Sequence, residues 1–123
     1  MNDHRADTLT SEDYVWGNAC QGWHLLKRDD LSVIQERVPP GEQEQRHYHQ
    51  MARQFFYILQ GEAVLEVDGR WVTLQEQQGI EIPPGVPHQF CNQSDREVIF
   101  LVISAPKAHG DRFTAETASE TQC

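Results

Sequence analysis

Arg46-His47-Tyr48-His49-Gln50-Met51-Ala52-Arg53-Gln54-Phe55-Phe56-Tyr57-Ile58-Leu59-Gln60-Gly61 holds two histidines two apart, a short turn, and an aromatic, β-branched run closed by glycine. Successive side chains of an extended segment point to opposite faces, so His47 and His49 share one face and can reach one point in space. The run from Phe55 to Leu59 has the composition of a central strand. By the same alternation Gln54, which opens it, shares its face with Phe56 and Ile58, while Phe55, Tyr57 and Leu59 face the other way.

Outward from this stretch the chain keeps the same character. Helical periodicity is nearly absent, and short extended runs alternate with Gly, Pro, Asn and Asp turn signals. The clearest hairpin is Ala63–Val67, then Asp68-Gly69, then Arg70–Leu74. Asp-Gly between two alternating runs marks a two-residue type I′ turn, which pairs Val67 with Arg70, Leu65 with Val72 and Ala63 with Leu74. Earlier strands are expected at Trp23–Leu26 and Leu31–Val38, the latter ended by Pro39-Pro40-Gly41. Later ones are expected at Ile80–Ile82, Pro87–Asn92 and Glu97–Ser104. The last is nearly continuous in apolar residues and is expected to be covered on both faces. The pattern is all-β, a sandwich or barrel.

At 123 residues the chain is long enough for one hydrophobic core and too short for two. A single domain is expected over 14–113. The polar ends, 1–13 and 114–123, read as disordered tails, with Ser11-Glu12-Asp13-Tyr14 able to begin one short helical turn. Net charge is −9 and the ten basic residues form no run, which argues against a nucleic-acid partner. No apolar stretch is long enough to span a bilayer, and the N-terminus has no apolar core for a secretory signal. No membrane partner and a cytoplasmic location are the resulting expectations. Cys91 reads as a packing residue.

His88 follows the turn signal Pro83-Pro84-Gly85 and shares its strand face with Phe90. Three imidazoles and the amide oxygen of Gln54 suit a divalent first-row metal. Phe56, Ile58 and Phe90 would then form an apolar wall around it. A lone His-x-His is more often core or surface than site; its conjunction with Gln54, His88 and the turn signals makes it a candidate. His4, His24 and His109 are set aside as ligands. Of Glu36 and Arg37, one must face inward because neighbours on a strand alternate, and the sequence leaves open which. Asp111-Arg112 reads as a surface ion pair, with closure of a barrel mouth as the alternative. No serine or cysteine nucleophile arrangement and no phosphate-cradling loop is visible, so no catalytic residue is assigned.

These residues resemble the two motifs of the cupin superfamily, in its small single-domain form. The first motif runs Gly, five residues, His-x-His, three or four residues, Glu, six residues, Gly; here stand Gly41, His47-Tyr48-His49, Gln54 and Gly61. The second ends Pro-x-Gly, two residues, His, three residues, Asn; here stand Pro83-Pro84-Gly85, His88 and Asn92. There are two departures. The second motif's opening glycine falls on Gln77, with Gly79 two positions later, as though the turn were shifted. The acidic ligand of the first motif is replaced by Gln54, which brings no charge.

The resemblance implies an antiparallel double-stranded β-helix, or jelly roll, holding one divalent metal (Fe, Mn, Ni, Zn or Cu) by His47, His49, Gln54 and His88. It also implies a homodimer. Four neutral ligands leave the metal's +2 charge uncompensated, so an anionic small-molecule ligand is expected. The leading expectation is a metal-dependent enzyme acting on a small organic acid or carbonyl compound. A dioxygenase comes first, then an isomerase, decarboxylase or lyase. The alternative is a non-catalytic small-ligand-binding or sensor protein, since the fold hosts both.

Overall fold

The structure, a computed structural model, describes residues 4–116, so the expected disorder of residues 1–3 and 117–123 lies outside the described residues. Among the described residues eleven strands follow one another: β1 (Glu12–Trp16), β2 (Cys20–Lys27), β3 (Ser32–Val38), β4 (His47–Tyr48), β5 (Arg53–Gln60), β6 (Ala63–Val67), β7 (Arg70–Leu74), β8 (Gly79–Ile82), β9 (His88–Cys91), β10 (Val98–Ala105) and β11 (Phe113–Thr114). They form two antiparallel sheets, one ordered β1-β2-β3-β10-β5-β8 and the other β11-β4-β9-β6-β7. This is the jelly-roll arrangement expected. Sheet pairing begins at Glu12 and ends at Thr114, just outside the limits 14 and 113. The short helical turn read at Ser11–Tyr14 is absent: Glu12–Trp16 pairs in register with Cys20–His24. No helix of the described residues is long and apolar enough to cross a membrane.

The inward faces meet in one apolar layer of Phe56, Ile58, Leu65, Phe90 and Phe100, each almost fully buried. Phe90 and Phe100 stack with ring centroids 4.0 Å apart, a geometry that adds about 0.5–1.5 kcal/mol beyond the area buried. The β6–β7 hairpin has the expected register. Asp68 and Gly69 take φ of 50° and 88°, the left-handed pair that a type I′ turn requires.

Three details differ from expectation. Gln77, standing where the motif has glycine, adopts φ 65° itself, so the turn is not shifted to Gly79. Gly79 is instead where the chain packs closely, since a Cβ there would lie 2.5 Å from the Phe55 ring and 2.7 Å from the Phe56 carbonyl oxygen. On β10, Val98, Phe100 and Val102 are buried, but Ile99, Leu101 and Ile103 are half-buried on the outer face. That face also carries Phe55 and Leu59, each about 40% exposed. Cys91 is buried and is not a free thiol.

Candidate active site

Between the sheets, at one end, lies a cavity of about 670 Å³. His47 and His49 reach it from β4 and the residue just beyond, and His88 begins β9, paired directly with His47. Their ring nitrogens come within 4.8 Å of one another, and all three residues are buried. Each imidazole is oriented by a backbone carbonyl. His47 Nδ1 donates to Gln45 O at 2.6 Å, His88 Nδ1 donates to Val86 O at 3.0 Å, and His49 Nδ1 donates to Asp111 O. A carbonyl can only accept, so Nδ1 carries the proton and Nε2 keeps its lone pair. The Nε2 atoms of His49 and His88 are buried without a hydrogen-bond partner among the described residues. Burial holds all three imidazoles neutral, His47 down to about 3 and His88 to about 4; Arg112 adds to the effect at each, and a neighbouring histidine adds to it at His47 and His88.

Gln54 sits on β5 beside Ser104. Its Nε2 donates to Ser104 Oγ at 3.1 Å, which leaves its buried Oε1 as a second kind of unpartnered acceptor. A buried acceptor without a donor is costly, and acceptors aimed into one space are what a cation requires. The three histidines could hold a metal ion, as the fixed tautomers suit. Phe56 lines the cavity and its ring stands edge-on to His88 at 5.8 Å. Ile58 and Phe90, expected beside it, are placed in the apolar layer behind.

The cavity also gathers groups outside the histidine cluster. Glu36, not Arg37, faces inward. Arg37 lies outside, bonded to Gln21 and Glu97. Tyr14 Oη donates to Glu36 Oε2 at 2.6 Å. Glu44, in the loop between β3 and β4, accepts from the Phe90 N–H at 3.0 Å. Burial pushes Glu36 up to about 7, against the Tyr14 bond and Arg112, which pull it down. Burial, then the charge of Glu36, push Glu44 up to about 8, against Arg112 and the Phe90 N–H. His24 and His109 line the cavity too, away from the histidine cluster.

Asp111 and Arg112 are not the surface ion pair expected. The Asp111 carboxylate accepts the backbone N–H groups of Gln50, Met51 and Ala52, each at 2.9 Å. Those bonds, outweighing desolvation, hold its pKa down. The loop before β11 is thereby tied over the cavity, and Arg112 becomes part of its wall. No sequence signal marked Glu44 or Tyr14, because one lies in a loop without periodicity and the other on an edge strand remote in the chain.

Comparison with known proteins agrees with this architecture. Residues 34–104 match the family model described as "Cupin domain". The chain is 33% identical over 69 residues to "Polyketide synthase CurC" of Streptomyces cyaneus, covering 56% of this chain and 45% of that protein. It is 32% identical over 102 residues to "H2HPP isomerase" of Bacillus subtilis, covering 81% of this chain and 42% of that one. The matches therefore span about half the length of these relatives. An RmlC-like cupin from Shewanella frigidimarina superimposes with a TM-score of 0.78 at 20% identity, covering 89% of this chain and 96% of that one. With its family model covering more than half of its length, its two antiparallel sheets and its inward histidines, the chain belongs to the cupin family.

Proposed function

We propose that this protein is a metal-dependent enzyme acting on a small organic acid or carbonyl compound, with the metal held by His47, His49 and His88 and completed by Gln54. The observation that carries this reading is the convergence of the three imidazoles with each Nδ1–H spent on a backbone carbonyl. A divalent metal bound there supplies Lewis-acid polarisation of a ligand oxygen. The protein's own ligands are all neutral, so an anionic ligand is favoured, and Arg112 in the same cavity favours it further.

Among reaction classes, redox-neutral carbonyl chemistry, isomerisation foremost, moves ahead of the dioxygenation put first from sequence. Two cavity carboxyls with proton affinities near neutrality are groups that proton transfer needs and oxygen insertion does not. The name of the Bacillus subtilis relative, an isomerase, agrees with that order. The apolar outer face around Phe55, Leu59 and Leu101 is where a homodimer would form, which sedimentation of the free protein would show.

Elemental analysis of untagged protein beside His47→Ala/His88→Ala tests the site. The expected result is about one metal per chain in the wild type and none in the variant. Wild-type protein that arrives empty and gains no thermal stability from added Fe, Mn, Ni, Cu or Zn would refute it. Oxygen uptake with organic acids would restore the dioxygenase reading; tight binding of such acids without turnover would favour a carrier or sensor.

A further inference from the structure

Tyr14, Gly22 and Glu36 lie in one row across β1, β2 and β3, each paired in register with the next. The side chain that Gly22 lacks would collide with Tyr14: a Cβ there would lie 2.2 Å from Tyr14 Cζ. Glycine at the middle strand thus lets the tyrosine cross over it and bond a carboxylate two strands away. This bond leaves Glu36 Oε1 with no bond among the described residues, in the cavity wall.

Glu44 reaches the same cavity from the opposite side. Its backbone N–H donates to Phe90 O and its Oε1 accepts from Phe90 N–H, so β9 fixes both ends of the residue. Its backbone carbonyl accepts from Gln89 Nε2 at 3.0 Å. Two anchored carboxyls thus line one cavity, the charge of Glu36 reaches Glu44, and neither contacts a cation within ion-pair distance among the described residues. Carboxyls that share one cavity and are partly withdrawn from water resist ionising together, a condition under which one can give a proton and the other accept one.

We propose that Glu36 and Glu44 are the proton-transfer pair of this cavity, acting on an enolisable carbonyl compound, with Tyr14 as the residue that positions Glu36. This inference rests on the metal-site reading above. The ionised carboxyl removes a proton from the carbon beside the carbonyl. The C–H electron pair becomes the carbon–carbon π bond of the enolate, and the carbonyl π pair moves to oxygen. The protonated carboxyl then returns a proton to carbon, and the electrons flow back. No oxidant or reductant is needed, and the net change is the movement of hydrogen.

The test uses full-length protein reconstituted with Zn²⁺ and three probes, pyruvate, phenylpyruvate and 2-oxoglutarate, in D₂O. Proton NMR reads loss of the hydrogens beside the carbonyl. Exchange of at least one probe by the wild type, falling at least about 100-fold in both Glu36→Gln and Glu44→Gln while probe affinity and zinc content hold, is the expected result. Tyr14→Phe should lower exchange about tenfold, and Glu44→Asp should recover part of what Glu44→Gln loses. Independently of any substrate, the infrared C=O band of a protonated carboxylic acid should be present at neutral pH and weaken in Glu44→Gln. Retained exchange in the glutamine variants, no exchange of any probe by zinc-loaded wild type, or an absent infrared band would each overturn the proposal. Failure to take up zinc at all would instead sink the metal-site reading first.

Discussion

Two regions of this molecule withdraw glutamate from water, one fully and one in part, with opposite outcomes. On the outer side of the five-stranded sheet, Glu66 is fully buried and meets the Arg46 guanidinium in a bidentate pair, 2.6 Å and 3.0 Å. The Gly69 N–H adds a third bond at 2.6 Å. Burial alone would raise its pKa, but Arg46 and Gly69 outweigh it and hold the group below the usual carboxylate range. In the cavity, Glu36 and Glu44 have one hydrogen bond apiece and no contacting cation, and burial prevails. A buried carboxyl whose charge is neutralised and bonded fastens the fold. One left short of partners keeps a proton it can give away.

The largest effect is expected from Arg46→Ala. It leaves Glu66 buried without its cation and should cost about 3–5 kcal/mol in urea unfolding. A loss under about 1 kcal/mol would mean that the pair is merely a surface contact.

Glu44→Gln should do the reverse and stabilise the protein. The folded pKa of Glu44 is raised to about 8 while the unfolded carboxyl ionises near 4.5. Between those values the unfolded chain binds fewer protons than the native one, so stability is full below about pH 4.5 and is lost as pH rises toward 8. The charges and dipoles facing it are Glu36, Arg112 and the Phe90 N–H. Removing the ionisable group should therefore add on the order of 1–3 kcal/mol at pH 8 and nothing at pH 4. Melting curves across that range check it; parallel curves for variant and wild type would erase the contrast with Glu66.

The smallest effect is a control outside both regions. Gln77 holds a left-handed φ of 65° that glycine adopts without strain, so Gln77→Gly should stabilise by about 0.5 kcal/mol without altering the pH dependence.

Much of this is legible in the order of the residues alone. The Ala63–Leu74 hairpin follows from Asp68-Gly69 and a period of two, both local properties. His47 and His49 share a face by alternation alone. Glu36 and Arg37 show where that logic stops: alternation requires one to point inward, and only the packing of β3 against the opposite sheet selects Glu36. Gln77 shows a different limit, because a turn can keep its shape on a residue that merely tolerates it.

Neighbours a few residues apart were enough to read the central strands, the Asp68-Gly69 hairpin and the grouping of histidines with a neutral amide, but not the edge strands β1 and β11. Tertiary structure alone decided which carboxyls are short of partners. Tyr14 meets Glu36 only through the register of three strands over a glycine, and Glu44 is turned into the cavity wall where β9 supplies its N–H donor. Proton affinity is set by solvent exclusion and by charges remote in the chain, and no local pattern of residues encodes either.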